Sequence, residues 1–303
     1  MNHPATIMEA YPDKIQARLE ARNRERARDI PSSVNGLARE LVFEDLKLWR
    51  IGELKVSFKG GDPEILSKIS EAANTWTEFG NITFDFGYDE NDGTFRQWTE
   101  DDTSHIRVGF EYAGYWSLVG TDSSDPSIAE PGEITLNLSG FDVDLPTNWR
   151  GIVIHEFGHA LGFHHEHQTP ALECDFDWNK LYEYLGGPPN YWPKWKVDHN
   201  LRQLQSGGMM YSAHDKHSIM HYSFPAWMFI TGEDSPCFTT ENSELSDTDK
   251  EMMEEAYPFD VELIAMTDED RIENLQTLID IQSPNSPIQD FNRNHLEYYL
   301  ANS

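Results

Sequence analysis

The stretch TNWRGIVIHEFGHALGF (147–163) opens with a capping residue and is apolar on nearly every side when it is drawn as a helix. Its apolar residues are Ile152, Val153, Ile154, Phe157, Ala160 and Leu161. A helix on the surface of a globular protein carries a polar face, so a helix that lacks one is buried. The chain must therefore fold around this segment, and the few polar residues on it need a reason to be there.

Those polar residues have the spacing of a metal site. His155 and His159 lie four positions apart, so their imidazoles project from one helix face and can bind one ion. An ionised Glu156 on an otherwise apolar helix is costly unless a cation or a proton transfer occupies it. The helix therefore supplies two predicted ligands and a candidate catalytic carboxylate.

A further ligand has to come from beyond the helix. Gly162 can end the helix and turn the chain back, and His165 follows three residues later. His164 and His167 compete with His165 for this role, but their spacing is less suitable. Three neutral imidazoles suit Zn²⁺ and leave one position open for water, as in catalytic sites. We therefore predict one catalytic Zn²⁺ ion, bound by His155, His159 and His165.

The remaining sequence indicates an α+β fold. A strand over 54–58 leads into a helix over 64–77, for which Asp62 and Pro63 supply the cap and the first turn. Three further strands, separated by Asp- and Gly-rich turns, complete a mixed sheet, and they are predicted at 81–87, 105–112 and 133–139.

The second half is poorer in periodicity. Irregular structure is expected over 168–216, with short helices near 178–185 and 194–204. A last core helix is predicted at 245–257, where Ser246 and Asp249 have the spacing of a capping box.

Both ends are predicted to be extensions. Residues 14–28 mix charges of both signs, which is typical of a solvated helix. In the acidic tail, Ile272, Leu275 and Ile279 share a helix face that we expect to dock onto the core. We predict an N-terminal extension over 1–46, a zinc-binding domain over 47–258 and a C-terminal extension over 259–303.

A formal net charge of −30 excludes the usual partners of basic proteins. Phosphate backbones and anionic membrane surfaces are recognised through clustered Lys and Arg, so we expect neither nucleic acid nor a membrane as a partner. The Asp-rich segment 121–130 could bind Ca²⁺, although an ordinary polar turn is the better interpretation. The N-terminus lacks the basic cluster and apolar run of a signal peptide, so we expect a soluble protein, intracellular or exported by another route.

Two motifs carry a family resemblance. The run HEFGHALGFHHE (155–166) matches H-E-x-x-H-x-x-G-F-x-H-E, and SIMHY (218–222) matches S-x-M-H-Y. Together they resemble the astacin-type metzincin peptidases, with a similar layout over about residues 48–258. The resemblance implies a metzincin fold in which a mixed twisted sheet and the active-site helix lie over a mostly irregular lower subdomain.

The resemblance also implies residue roles. The three histidines bind zinc, and Glu156 activates water as the catalytic base. Tyr222 matches a tyrosine that can ligate zinc in the resting enzyme and then stabilise the oxyanion, and Met220 matches the methionine of the turn beneath the metal. Glu166 corresponds to a glutamate that pairs with the new N-terminus after activation.

Some family features are missing from the sequence. The two disulfides of typical astacins cannot be made from two cysteines, Cys174 and Cys237, which could form one bridge or none. The segment FKGGD (58–62) is similar to the inhibitory motif F-x-G-D but has one residue too many, so we interpret it as a strand-to-helix turn. The basic residue that selects acidic substrates in the family has no match within 222–229.

The sequence thus predicts a zinc-dependent endopeptidase that hydrolyses internal peptide bonds of proteins or peptides and works as a monomer. An extended substrate is expected to add as a strand to a sheet edge near 115–138. The alternative is a zinc-binding metzincin-like protein that acts as an interaction module without turnover.

Overall fold

A computed structural model of the chain describes residues 10–29, 47–169, 171–188, 190–204 and 214–259, together with isolated residues between 269 and 300. Its strands are β1 (Glu53–Phe58), β2 (Thr83–Asp85), β3 (Ile106–Gly109), β4 (Tyr115–Ser117) and β5 (Leu136–Leu138). Its helices are α1 (Asp13–Asp29), α2 (Pro63–Ala73), α3 (Trp149–Leu161), α4 (Trp178–Leu185), α5 (Lys194–Leu201) and α6 (Asp247–Ala256).

The five strands form one mixed sheet in the order β2-β1-β3-β5-β4. All neighbours are parallel except β4, which runs antiparallel to β5 and forms an edge of the described sheet. The predicted mixed sheet is confirmed: β2, β3 and β5 lie within the predicted segments, and β1 begins one residue before its predicted start. Strand β4 was not predicted.

The predicted helix boundaries hold where a capping residue defines them. Asp62 accepts a hydrogen bond from the Glu64 backbone N–H at 2.9 Å and starts α2, so FKGGD is the expected strand-to-helix turn. Ser246 and Asp249 form the predicted capping box at the start of α6. Helix α2 ends at Ala73, earlier than expected, and a short 3-10 turn at Trp76–Glu78 follows it.

Helix α3 lies in the main hydrophobic core, as its apolar sequence predicted. Phe157 is fully buried among the aromatic rings of the first half, including Phe84 and Phe86. The indole N–H groups of Trp76 and Trp49 donate to carbonyl oxygens of the helix, each at 2.7 Å. Two large side chains thus fix α3 in position while satisfying their own buried donors.

Below α3, a second cluster of buried aromatic and aliphatic residues holds a region of short helices and loops. Helices α4 and α5 lie at or near their predicted positions. A disulfide joins Cys174 to Cys237 across 63 residues of sequence, which settles the pairing that the sequence left open. Such a cross-link limits the unfolded chain and supports a region with little regular structure.

The expectation of a solvated N-terminal helix is wrong for one face of α1. Ile15 and Leu19 are buried against Trp116 of β4 and its neighbours. Arg22 and Arg26 are also buried, and they pair with Asp125 at 2.8 Å and Asp122 at 2.9 Å. The mixed charges of α1 therefore did not mean that the whole helix is exposed, because the acidic partners of Arg22 and Arg26 come from a distant segment of the chain.

The same ion pairs explain the Asp-rich segment. Residues Gly120–Ser124 form a 3-10 turn, in agreement with the preferred interpretation as a polar turn. The carboxylates of Asp122 and Asp125 are neutralised by arginines, and Asp125 also accepts from the Ser127 hydroxyl at 2.6 Å. This segment therefore needs no calcium ion to balance its buried charge.

The C-terminal tail, for which a docking helix face was predicted, lies largely beyond the described residues. Leu275 is among those outside, so docking of the tail stays a prediction. Among the residues that the structure does describe, no helix has the length and apolar character needed to cross a membrane.

Candidate active site

Helix α3 and the turn after it bring the predicted histidines together. His155 and His159 lie one turn apart on α3, which ends at Gly162 with a positive φ of 112°. That left-handed conformation is one that glycine adopts without strain, and it reverses the chain so that His165 returns to the helix. The predicted role of Gly162 as the helix stop is confirmed.

The three imidazoles converge through their Nε2 atoms. The Nε2 of His159 lies 3.1 Å from that of His155 and 3.0 Å from that of His165. These three residues form one of the groups of potential metal ligands in the described part of the chain. The competing candidates do not join it, since His167 Nε2 lies 3.0 Å from the Asn200 carbonyl oxygen.

Each of the three rings is oriented by an acceptor on its other nitrogen. Nδ1 lies 2.7 Å from the Ile219 carbonyl oxygen in His155 and 2.7 Å from the Phe163 carbonyl oxygen in His159. In His165, Nδ1 lies 3.3 Å from Oε1 of Gln168. These acceptors hold the proton on Nδ1, because a carbonyl oxygen cannot donate, and they leave the Nε2 lone pairs facing one another.

This arrangement fits a zinc ion. Three neutral imidazole nitrogens with oriented lone pairs are the donor set of catalytic zinc sites, in which a fourth position stays open. Without a cation, three lone pairs at this separation repel one another. We infer that His155, His159 and His165 would hold the metal.

Glu156 lies beside the histidine cluster at the floor of a cleft. Its side chain is 1% exposed, on a helix whose other buried residues are mostly apolar. Tyr115 lies in the wall of the same cleft. Burial raises the pKa of its hydroxyl, and the nearby Glu156 carboxylate raises it further. Glu156 thus stands between the cation-binding cluster and the edge strand β4.

The turn that carries Met220 and Tyr222 packs under and beside the histidines. Gly158 of α3 has no side chain, and a Cβ atom there would collide with the Met220 sulfur and with Trp76. The Tyr222 ring lies 4.3 Å from the His165 ring and 5.5 Å from the His155 ring, between centroids. The structure therefore places the predicted methionine turn and tyrosine at the site.

Glu166 links the end of the histidine segment to the methionine turn. Its backbone N–H donates to the Met220 carbonyl oxygen at 2.9 Å, and its carboxylate accepts from the Asp215 N–H at 2.9 Å. Burial raises the pKa of Glu166 to about 7, against the opposing effect of that hydrogen bond. The Asp215 backbone N–H is thus a partner of the Glu166 carboxylate that the sequence did not reveal.

The site opens into a cleft of about 740 Å³. Its walls come from β4, α3, the methionine turn and the segment 238–242, and they include Tyr115, Tyr222, Phe224, Phe238 and Thr239. None of the described lining residues is Lys or Arg. The cleft is thus a mixed apolar and neutral polar groove with Glu156 at its base.

The sequence analysis missed the residues that orient the imidazoles. Gln168 could have been suspected, because it lies three residues after His165 and its amide oxygen can accept from the second ring nitrogen of a ligand histidine. The Phe163 and Ile219 contacts use backbone carbonyls, so no residue type in the sequence signals them.

Comparison with known proteins identifies relatives. A solved structure of myroilysin is 38% identical with a TM-score of 0.60, and the match covers 71% of this chain and 98% of that chain. Zinc metalloproteinase nas-2 of Caenorhabditis elegans is 29% identical over 133 residues, which are 43% of this chain and 40% of that protein. Zinc metalloproteinase nas-3 of the same worm is 36% identical over 77 residues, 25% of this chain and 21% of that protein.

The chain therefore spans less than half the length of these two worm relatives, and no family model matches it. The fold and the relatives together define the class, an α+β metzincin with one catalytic zinc ion. Within that class, the chain belongs to the astacin-like zinc metalloendopeptidases, which confirms the resemblance seen in its two motifs.

Proposed function

We propose that this chain hydrolyses internal peptide bonds of proteins or peptides, with zinc held by His155, His159 and His165. The observation that carries the proposal is the convergence of three Nε2 atoms at separations of 3.0 and 3.1 Å beside a buried carboxylate. A site that only stabilised the fold would have a fourth protein ligand in place of an open cleft.

Glu156 serves as the general base. Zinc, when bound, supplies Lewis acidity that polarises the scissile carbonyl and makes water acidic enough to lose a proton near pH 7. Glu156 accepts that proton and then passes it to the nitrogen of the leaving amine. Its position supports this role, since Glu156 follows His155 on α3 and lines the cleft.

Tyr222 stabilises the charge that develops on the carbonyl oxygen. Its ring packs against His155 and His165, so its hydroxyl is carried on the cleft wall beside the reacting centre. A donor that is already positioned there costs no reorganisation during the reaction.

The substrate lies as an extended strand along the edge of β4. This strand has a neighbour on only one side in the described sheet, and Tyr115 at its start lines the cleft. Main-chain hydrogen bonds to an edge strand position a peptide whatever its sequence. Because the described lining holds Glu156 and Glu241 but no basic residue, acidic side chains are not the preferred ones.

The functional unit is one chain. The side chains assigned to the chemistry come from α3, the turn after it and the methionine turn of the same molecule, which supports a monomer. The proposed peptidase domain is 47–258, with 1–46 and 259–303 as extensions, although α1 within the first extension packs on the domain.

The test is proteolysis of an unstructured protein by the wild type, by Glu156→Ala and by the chelated wild type, with the cut bonds mapped by mass spectrometry. We expect cleavage to fall by about 10²- to 10⁴-fold in Glu156→Ala, the range for loss of a general base. Glu183→Ala is the matched control, because this glutamate is exposed on α4, lies outside the cleft lining and should leave the rate within a few-fold.

Two outcomes would contradict the proposal. Equal cleavage by the wild type and Glu156→Ala would remove Glu156 from the chemistry. A wild type that retains one zinc ion but cuts no bond would instead favour the interaction module.

A further inference from the structure

A second group of potential metal ligands lies in the described structure, apart from the catalytic histidines. It consists of His214, His221 and Cys237, and one ligand atom from each lies within 4.8 Å of the others. The rings of His214 and His221 meet edge to face, with centroids 5.2 Å apart. None of the three residues belongs to the set assigned to catalysis.

Both imidazoles present a buried nitrogen that other described residues leave unused. The Nε2 atoms of His214 and His221 are inaccessible to solvent and have no hydrogen-bond partner among the described residues. His221 is 4% exposed, and its Nδ1 lies 2.8 Å from the Tyr222 carbonyl oxygen, which holds the proton on Nδ1. A buried polar atom without a partner is costly, so such an atom in a native fold calls for an explanation.

The protonation states suit metal binding. Burial lowers the pKa of His221 to about 4 and also lowers the pKa of His214. Burial thus favours the neutral rings that metal binding requires. At His221, the contact of Nδ1 with the Tyr222 carbonyl oxygen leaves the lone pair on Nε2.

The sulfur completes the set only in one redox state. Cys237 is fully buried and forms a disulfide with Cys174. The Cα atoms of the two cysteines lie 5.6 Å apart. A disulfide sulfur is not a thiolate, and the thiolate is the form of cysteine that binds metals. Reduction would free the Cys237 thiol next to the two imidazoles and leave the Cys174 thiol beside Cys237. Two cysteines with two histidines are a common ligand set for structural zinc.

We propose that reduction of the Cys174–Cys237 disulfide creates a second zinc site, in which Cys237, His214 and His221 bind the ion and Cys174 supplies the fourth ligand. The reductant is a dithiol, which is oxidised to its own disulfide as two electrons and two protons convert the S–S bond into two thiols. On binding, the two thiols release their protons and the ion takes two thiolates and two imidazoles.

The geometry requires a small contraction. Tetrahedral zinc with bonds of about 2.0–2.3 Å places its ligand atoms roughly 3.3–3.8 Å apart. The atoms of His214, His221 and Cys237, now within 4.8 Å of one another, therefore have to close by about 1 Å, and the Cys174 sulfur has to move away from that of Cys237 to a similar spacing. Side-chain rotations achieve both once the S–S bond is broken. The ion then replaces the disulfide as the link between the segments around 174 and 237.

The test counts zinc ions per chain in two redox states. The full chain is prepared oxidised, or is reduced with a dithiol that is then removed under anaerobic conditions, and both forms are equilibrated with zinc and desalted. We expect one equivalent of zinc in the oxidised chain and two in the reduced chain. In the reduced chain, cobalt in place of zinc should add a thiolate-to-metal charge-transfer absorption that the oxidised chain lacks.

Variants assign the second equivalent to its ligands. His214→Ala should bind one equivalent in both redox states, whereas His217→Ala, an exposed histidine of the same loop, should behave like the wild type. His159→Ala removes a ligand of the catalytic site, so it should bind about none when oxidised and one when reduced. This variant separates the two sites, because its gain on reduction does not depend on the catalytic metal.

The proposal is overturned if the reduced wild type binds no more zinc than the oxidised form. It is also overturned if reduced His214→Ala keeps the second equivalent with its cobalt charge-transfer band. If the oxidised wild type binds no zinc, that result counts against the catalytic site proposed above. The zinc gained on reduction then still tests the second site independently.

Discussion

Two of the places where the described part of the chain buries charged or metal-binding groups are completed differently. Between α1 and the Gly120–Ser124 turn, Asp122 and Asp125 are neutralised by Arg26 and Arg22 of the same chain. On α3, the histidine nitrogens face one another beside Glu156, and the complementary charge has to come from outside. In the first site, which we call the closed site, the chain supplies both the carboxylates and the arginines that neutralise them. The second, the open site, faces the cleft.

The difference shows what distinguishes a functional cluster from a structural one. A buried ion pair between protein groups leaves no charge for another molecule to satisfy. A cluster of lone pairs beside a carboxylate binds a cation and keeps a coordination position for chemistry. The Asp-rich segment has the more conspicuous sequence, yet its carboxylates only hold a helix in place.

The largest expected effect concerns the closed site. Arg22→Ala leaves Asp125 without its contact at 2.8 Å, in a place where the two side chains are 4% and 2% exposed. Asp125 then keeps Arg26 at the longer distance of 3.5 Å, so the cost should approach the roughly 3–5 kcal/mol of breaking a buried pair. Hydrogen exchange of the α1 amides should report a fall of this size in the free energy of opening.

The matched control lies on the same helix. Arg24 is 62% exposed and pairs with Glu20 across one turn, so Arg24→Ala should lower the opening free energy by no more than about 0.5 kcal/mol. Equal protection in the two variants would mean that the buried pair does not hold α1.

The contrast between the two sites also separates what the sequence predicts from what it does not. The spacing of His155 and His159 and the stop at Gly162 are local, because they follow from the helix repeat and from the conformational freedom of one glycine. The link between Arg22 and Asp125 spans 103 positions, and no periodicity of either segment identifies the other as its partner.

The same reasoning applies within the open site. The ligand candidates could be predicted from one segment, but the acceptor for His155 is a carbonyl oxygen of Ile219, 64 positions away. The pairing of Cys174 with Cys237 is likewise a long-range contact that the sequence left open. Local rules therefore indicated the helix, the caps and the histidines, while tertiary packing determined their supports.

Within the open site, the next effect is on the rate. Tyr222→Phe keeps the ring that packs on His165 but removes the hydroxyl proposed to donate to the developing oxyanion. Loss of one such donor costs about 10²- to 10³-fold in kcat, or roughly 2.7–4 kcal/mol. We expect kcat to fall by that factor, while KM and the zinc content stay near the wild-type values.

Two results would count against this role. A Tyr222→Phe variant with wild-type kcat would make Tyr222 a packing residue only. If the variant loses most of its zinc, but the molecules that keep zinc have wild-type kcat, Tyr222 is a metal-site residue instead.

A smaller effect is expected from the support of one predicted ligand. Gln168 Oε1 lies 3.3 Å from Nδ1 of His165, so Gln168→Ala removes the acceptor that orients this ring. Loss of such an outer partner typically weakens metal affinity by about 10- to 100-fold. Competition with a chelator of known affinity should show this loss, and Gln203→Ala, a nearby amide on the backbone of Thr169, should bind zinc as the wild type does.

The smallest effect is the acid response of the closed site. Burial raises the pKa of Asp125, but hydrogen bonds from Ser127 and the charges of Arg22 and Arg26 outweigh it and hold the pKa below its ordinary value of 3.8. The folded state therefore binds this proton less readily than the unfolded chain does. The stabilisation is fully present above pH 3.8 and is lost as the pH falls through the lower pKa of the folded state.

Protection of the α1 amides, corrected for the intrinsic exchange rate, should thus be constant from neutral pH down to about pH 4 and decline below it. The measurement uses the Glu156→Ala variant, so that self-digestion does not interfere. In the same background, Arg22→Ala should show a smaller acid step, because without the arginine the pKa of Asp125 lies closer to that of the unfolded chain. An acid step of the same size with and without Arg22 would show that another group controls the docking of α1.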